Sequence, residues 1–166
     1  MRLRFPFPSL LPAAGIALGL GAMAFGGYLV WRFMNPPVAP VLVAEPEAGC
    51  DLHRGPCAAA LPGGGRLTLA ITPRPIPLIE PLALEVRVDS AAASKVEVDF
   101  SSPDMYMGYN RHALNAVSAG VYAGKAVLPV CTRTRMAWRA RVVADTERGR
   151  VSVPFTFITD PASPRS

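Results

Sequence analysis

A long uncharged stretch near the N-terminus constrains this 166-residue chain more than any other feature. Between Arg4 and Arg32 lie 27 residues without a charged side chain. An α-helix rises ~1.5 Å per residue, so about 20 such residues cross the hydrocarbon layer of a membrane. The stretch is rich in glycine and alanine and ends in the aromatic residues Tyr28 and Trp31, both typical of membrane helices. The sequence therefore predicts one transmembrane anchor, over residues 9–32.

The charges on either side of this anchor predict its orientation. Arg2 and Arg4 precede it, whereas only Arg32 follows it closely, and positively charged flanks stay on the cytoplasmic side. Residues 1–8 are then a cytoplasmic N-terminus in the bacterial inner membrane, and the rest of the chain is periplasmic. A cleaved signal peptide is the alternative, because residues 22–24 have the small-x-small pattern of a cleavage site.

Beyond the anchor, the sequence predicts a linker and one β-rich domain. Residues 33–49 are rich in proline, which favours an extended and semi-rigid chain. After residue 50, apolar and polar side chains alternate, as they do in strands that bury one face. Six segments show this alternation: residues 67–71, 84–88, 96–100, 120–130, 136–145 and 150–159.

Short strands that each bury one face pack well as two sheets laid face to face. We therefore predict a mainly β fold, in which one N-terminal transmembrane helix is followed by an immunoglobulin-like (cupredoxin-like) antiparallel β-sandwich. The sandwich is expected to span residues 50–160. Residues 161–166 are expected to be a disordered tail.

Charge and motif content exclude several classes of function. Beyond residue 32 the chain carries 14 basic and 12 acidic side chains, a balance that argues against nucleic acid or a strongly charged partner. The sequence contains no Gly-x-Ser-x-Gly, Cys-x-x-Cys or His-Glu-x-x-His motif and no phosphate-binding glycine loop. We therefore predict that the protein is not an enzyme and has no small-molecule substrate.

The three cysteines, Cys50, Cys57 and Cys131, all follow the anchor and would lie in an oxidising compartment. Three cysteines allow one disulfide and one remaining thiol. Cys50 and Cys57 enclose six residues that include Gly-Pro, so a local disulfide is sterically feasible. A bond from Cys131 to either of the other two is equally permitted, and the sequence leaves the pairing open.

Sulfur and imidazole donors concentrate in two segments of the domain. Met105 and Met107 lie two residues apart after a predicted strand, which places them on one face if the strand geometry continues, and His112 follows. Cys131 and Met136 flank a second predicted turn. Thioether, thiolate and imidazole ligands together suit Cu(I), so these five residues are the predicted metal ligands. The alternative is that the methionines fill irregular space in the core.

Three motifs in the same region resemble a known family. They are Asp-Met-Tyr-Met-Gly at residues 104–108, Gly-Val-Tyr-Ala-Gly at 120–124, and Leu-Pro at 128–129 leading to Met-Ala-Trp at 136–138. This order resembles the YtkA-like and FixH-like family of small bacterial proteins, in which a membrane anchor precedes an extracytoplasmic immunoglobulin-like domain. The resemblance implies a role in cytochrome oxidase assembly or periplasmic copper delivery, and supports Met105 and Met107 as ligands. Two features depart from it: the Met-Ala-Trp replaces a common Gly-x-Trp, and the cysteines have no counterpart.

Two functional hypotheses follow. The first is a membrane-tethered periplasmic accessory protein that binds Cu(I) and aids copper delivery to, or assembly of, a respiratory copper oxidase or another copper protein. The second is a metal-free periplasmic interaction module that docks on a membrane respiratory or transport complex. Its contact surface would be an exposed apolar patch of the methionines with Tyr106 and Tyr109.

Overall fold

The computed structural model describes residues 10–35, 41–89, 92–106, 108–129 and 135–160, with side chains from residue 19 onward. The chain divides into two compact units, and the boundary between them along the sequence lies after residue 38. The predicted ligands Met107 and Cys131 lie outside the described residues, as does the predicted tail at 161–166.

The first unit contains one α-helix, α1 (Leu10–Met34), of 25 residues. Its single proline, Pro12, lies in the first turn, where a missing N–H costs little. At the C-terminal end, both the backbone and the side-chain nitrogen of Asn35 donate to the Trp31 carbonyl at 2.9 Å. Within the described residues, no helix reaches the length and mean hydropathy of a membrane span. The predicted N-terminal helix is confirmed, and the predicted membrane span stays a prediction.

The second unit is a single curled sheet of nine strands, resembling half of a barrel. The strands are β1 (Val41–Val43), β2 (Cys57–Ala60), β3 (Arg66–Thr72), β4 (Pro81–Val88), β5 (Ala93–Ser101), β6 (Arg111–Ser118), β7 (Val121–Val127), β8 (Met136–Thr146) and β9 (Gly149–Thr159). Their order across the sheet is β1-β9-β8-β5-β6-β7-β4-β3-β2. The predicted mainly β fold is confirmed.

Strand β6 joins the two halves of this sheet by changing its partner. Residues 111–114 pair with β5, whereas residues 115–118 pair with β7 through a shift in register. Such irregularities increase local twist, so the sheet curls on itself at this strand. The sheet is also mixed, because β1 runs parallel to β9. The structure therefore differs from the predicted pair of purely antiparallel sheets.

One hydrophobic core lies on the inner side of the curled sheet. The predicted alternation is confirmed in β3: Leu67, Leu69 and Ile71 are all fully buried, whereas Thr68 and Ala70 between them are more exposed. The largest fully buried side chains are Trp138 of β8, Phe100 of β5 and Phe155 of β9. Each large apolar side chain removed from water contributes about 1.5–3 kcal/mol, which makes this core the main source of stability.

A buried tyrosine ties the two halves of the sheet together. Tyr122, on β7, donates its hydroxyl proton to the Ala93 carbonyl at 2.8 Å and accepts the Ala93 N–H at 2.7 Å. Ala93 begins β5, which belongs to the other half of the sheet. Both polar groups of one backbone residue are therefore satisfied by a single side chain.

The domain begins earlier than the sequence predicts. Val41–Val43 of the predicted linker form strand β1, and the next residue, Ala44, donates its N–H to the Ser152 carbonyl at 3.0 Å. The β-branched pair in this short segment suits an edge strand. Residues 41–49 are thus part of the folded unit.

The cysteine pairing that the sequence left open is local. Cys50 and Cys57 form a disulfide with their Cα atoms 5.4 Å apart. Cys57 is buried at the start of β2, so the bond fastens the segment after β1 to the edge of the core.

Candidate functional site

The two segments that carry the predicted ligands leave the sheet at the same end. Strand β5 ends at Ser101 opposite Arg139, near the start of β8, and β6 runs back from that end. Strand β7 is antiparallel to β6, so it also ends there. The β5–β6 connection (residues 102–110) and the β7–β8 connection (residues 128–135) therefore share one end of the domain, here named the loop end.

The described part of the β5–β6 connection presents a sulfur atom and two aromatic rings to solvent. Met105 is 38% exposed, and Tyr106 and Tyr109 are 93% and 80% exposed. The Arg111 guanidinium lies over the Tyr109 ring, 5.3 Å from its centroid, a cation–π contact that holds this ring at the base of the connection. Met105 is thus partly accessible from solvent.

His112 lies at the start of β6, on the side of the strand that faces the core. Its ring is edge-on to buried Phe100, with the centroids 6.1 Å apart. Its Nε2 is 2.6 Å from Oδ1 of Asn110. An amide oxygen only accepts hydrogen bonds, so Nε2 carries the proton and Nδ1 keeps the lone pair. Among the described residues Nδ1 has no hydrogen-bond partner.

The surroundings of His112 favour its neutral form. Burial lowers the pKa of the His112 imidazole, because a charged ring is poorly solvated beside Phe100. The nearest charged side chains of β5 and β6, Glu97, Asp99 and Arg111, are engaged with one another on the outer face of the strands. A neutral imidazole whose second nitrogen donates to a fixed acceptor is the form in which histidine binds metals.

Met136 occupies a different environment from Met105. It is only 3% exposed and belongs to the hydrophobic core, at the start of β8 two residues before Trp138. This position agrees with the core-filling alternative for methionine. Of the five predicted ligands, the structure brings Met105 and His112 to the loop end and packs Met136 inside, while the other two lie outside the described residues.

Carboxylate, imidazole and thiolate groups are the commonest metal ligands in proteins. In the described part of the chain, no three histidine, cysteine, aspartate or glutamate side chains are grouped to hold a metal ion. At the loop end, the described residues include two potential metal ligands, the His112 imidazole and the Met105 thioether. Imidazole with thioether ligands suits Cu(I), whereas calcium and magnesium prefer oxygen ligands.

Known proteins give no template for this site. No family model, curated protein or solved structure matches this chain. The resemblance to the YtkA-like and FixH-like family therefore stays a prediction from the motifs at residues 104–138.

The second histidine, His53, is structural. Its Nδ1 accepts the Ile76 N–H at 3.1 Å, so its Nε2 carries the proton and donates to the Ile158 carbonyl at 2.7 Å. The ring also meets Phe157 edge-on, with the centroids 5.9 Å apart. Both nitrogens are used, so His53 is excluded as a metal ligand in this conformation. Its partners are 23 and 105 positions away along the chain, so the local sequence does not indicate this role.

A groove of about 750 Å³ runs along the outer face of β8 and β9. Its lining residues come from the segment at 41–50 and from the outer faces of β8 and β9: Val41, Val43, Glu45, Pro46, Glu47, Gly49, Cys50, Arg139, Arg141, Ser152, Pro154 and Thr156. The sequence identifies Arg139 and Arg141 only as outward-facing residues of a strand. Nothing in the sequence signals a groove, because its second bank comes from the predicted linker.

Proposed function

We propose that this protein is a membrane-tethered periplasmic accessory protein that binds Cu(I) at the loop end and passes it to a respiratory copper oxidase or another copper protein. The observation that carries the proposal is the state of His112. Its Nε2–H donates to Asn110, and Nδ1 retains a free lone pair among the described residues. Copper is the cargo in this proposal, and the protein is a carrier rather than an enzyme.

His112 and Met105 provide the first two ligands. The hydrogen bond to Asn110 fixes the ring, so Nδ1 binds the ion without first losing rotational freedom. Met105, exposed in the β5–β6 connection just before this strand, supplies a soft thioether donor. We propose Met107 and Cys131 as further donors, because both belong to connections that leave the sheet at this end. Met136 stays in the core and is not part of the proposed site.

The proposed mechanism is transfer by ligand exchange. Thioethers are neutral and weak ligands, so they hold Cu(I) without trapping it. The exposed position of Met105 leaves room for an acceptor protein to insert its own ligand. The copper ion then moves between sulfur donors with no change in its oxidation state.

The proposed cellular position rests on the N-terminal sequence. Residues 9–32 form the anchor, the N-terminus is cytoplasmic, and the sheet domain, proposed to be immunoglobulin-like, lies in the periplasm. Support comes from α1, a 25-residue helix whose described apolar side chains, such as Phe25 and Phe33, are exposed. Topology can be tested by fusing a periplasm-dependent reporter after residue 160. An inactive reporter there would contradict this orientation.

Copper binding is tested by titrating the full-length protein in detergent with Cu(I) under anaerobic conditions, against a chromogenic chelator. We expect about one Cu(I) per chain. The triple variant Met105→Ala, Met107→Ala, His112→Gln should lose most of this binding, whereas the matched core variant Met136→Leu should retain it. Absence of stoichiometric binding, or equal binding by the triple variant, would refute the proposal.

A metal-free interaction module is the second candidate. The observation that favours it is the exposure of Tyr106 and Tyr109, since tyrosine is enriched where proteins meet. In this case the variant Tyr106→Ala, Tyr109→Ala should lose a membrane partner in pull-downs from detergent extracts with copper chelated. Met105→Leu should keep that partner. Retention by the tyrosine variant would exclude this role for the loop end.

A further inference from the structure

The groove along β9 has banks of opposite charge. Strand β9 lies between β1 and β8 in the sheet, and its outward residues Ser152, Pro154 and Thr156 form the floor. Arg139 and Arg141, from β8, stand on one bank. The opposite bank is formed by β1 and the segment after it, which carries Glu45 and Glu47. Short side chains flanked by long ones explain why a groove forms here.

The two arginines have no partner within the described part of the chain. Neither forms a salt bridge or a side-chain hydrogen bond there, although many other arginines do. Asp99 faces Arg141 across the β5–β8 pair, but the ion pair of Asp99 is with Arg111, at 3.7 Å. Two neighbouring guanidinium groups are therefore left with their donors free at one side of a groove.

The spacing of the arginines matches that of an extended peptide. Arg139 and Arg141 are two residues apart on one strand, which separates them by about 7 Å along it. Carboxylates on alternate residues of an extended peptide have the same spacing, and each fits the planar fork of an arginine. Exposed Val41 and Val43 of β1 offer apolar contacts to the peptide's remaining side chains.

The acidic side of the groove, which carries Glu45 and Glu47, restricts the kind of ligand that can bind. Glu47 is neutralised by Arg66 at 2.9 Å, whereas Glu45 is exposed and has no partner among the described residues. A uniformly negative polymer such as nucleic acid would be repelled by Glu45. From the charges and the spacing we infer that the groove binds an extended protein segment with acidic residues at alternate positions. This peptide site lies on the outer face of the sheet, has no residue in common with the proposed copper ligands and does not depend on copper.

The test uses fluorescence anisotropy with the full-length protein in detergent. The probe is a labelled ten-residue peptide of alternating glutamate and valine, and its control has the same composition with the glutamates contiguous. We expect the alternating peptide to bind about tenfold more tightly than the contiguous one. Arg139→Gln with Arg141→Gln should weaken binding about tenfold or more, because two charge-assisted hydrogen-bonding pairs are lost.

Two further variants make the result specific. The matched control Arg87→Gln with Lys125→Gln removes the same charge from the other half of the sheet and should leave the affinity unchanged. Glu45→Gln should strengthen binding of the alternating peptide, and circular dichroism verifies folding of every variant. Equal binding by the double arginine variant, or of both peptides, would overturn the inference. Inorganic phosphate that binds with the same dependence on both arginines would overturn it in favour of a simple anion site.

Discussion

Replacing Tyr122 with phenylalanine removes one oxygen atom from the inside of the domain and leaves the ring in place. In the structure that oxygen accepts the Ala93 N–H at 2.7 Å and donates to the Ala93 carbonyl at 2.8 Å. Tyr122 is 5% exposed and Ala93 is 9% exposed, so water reaches these groups poorly. The substitution therefore leaves the N–H and the carbonyl of Ala93 without these hydrogen bonds.

The expected cost follows from those two groups. A buried donor or acceptor left without a partner costs about 1–3 kcal/mol, and partial access of water to Ala93 favours the low end of that range, about 1–1.5 kcal/mol for each group. We expect Tyr122→Phe to lower the free energy of unfolding by about 2–3 kcal/mol. For a sheet domain of this size that corresponds to a fall in Tm of roughly 6–12 °C.

The assay is thermal and urea unfolding of the full-length protein in detergent, followed by circular dichroism and tryptophan fluorescence. Tyr106→Phe is the matched control, because the Tyr106 side chain is 93% exposed and makes no hydrogen bond among the described residues. It should change stability by less than about 0.5 kcal/mol. If the two variants have the same stability, the hydroxyl of Tyr122 does not join the halves of the sheet as argued.

Three further predictions concern other elements of the domain. Burial lowers the pKa of His112 in the folded state, so the free energy of unfolding should fall as the pH drops below the unfolded pKa of about 6.5. His112→Gln should flatten this pH dependence between pH 7 and 5 in urea unfolding. An unchanged dependence in that variant would show that His112 is not its cause. Replacing Cys50 and Cys57 by serine should lower the free energy of unfolding by about 2.5 kcal/mol in urea, since the disulfide joins residues with a sequence separation of 7. An unchanged free energy of unfolding would show that the loop is ordered without the disulfide. Gly120→Ala should cost more than about 1 kcal/mol in the same assay, because the glycine has φ +70° and a Cβ would lie 2.8 Å from the Val88 carbonyl oxygen; an unchanged midpoint would contradict this.

Strands that alternate strictly were predictable from the sequence. Leu84, Val86 and Val88 of β4 are buried as their period of two indicates, because a single buried face imposes that pattern whatever the neighbours are. Strand β6 shows no such pattern, since Leu114 is its only buried residue and its two halves belong to different parts of the sheet. It forms because its two halves pair with β5 and β7, and without a continuous buried face it leaves no period of two in the sequence.

The candidate sites show the same division between local and distant information. The sequence identified Met105 and His112 as donors from residue type alone, but it gave the same weight to Met136, which is packed in the core. The exposure of Met136 depends on where β8 begins relative to the core. The sequence cannot distinguish it from Met105, because a thioether has the same chemistry in the core and on the surface. The groove was not predictable at all, because it needs β1 to lie parallel to β9, a pairing between the two ends of the domain.

The change of partner within β6 has a consequence for dividing the chain. A cut inside residues 111–118 would interrupt the one strand that holds both halves of the sheet, so two fragments separated there are expected to lose their structure together. The turn between β8 and β9, at Glu147 and Arg148, connects two strands whose pairing extends along their full length. New termini, or an inserted reporter domain, should be tolerated at that turn.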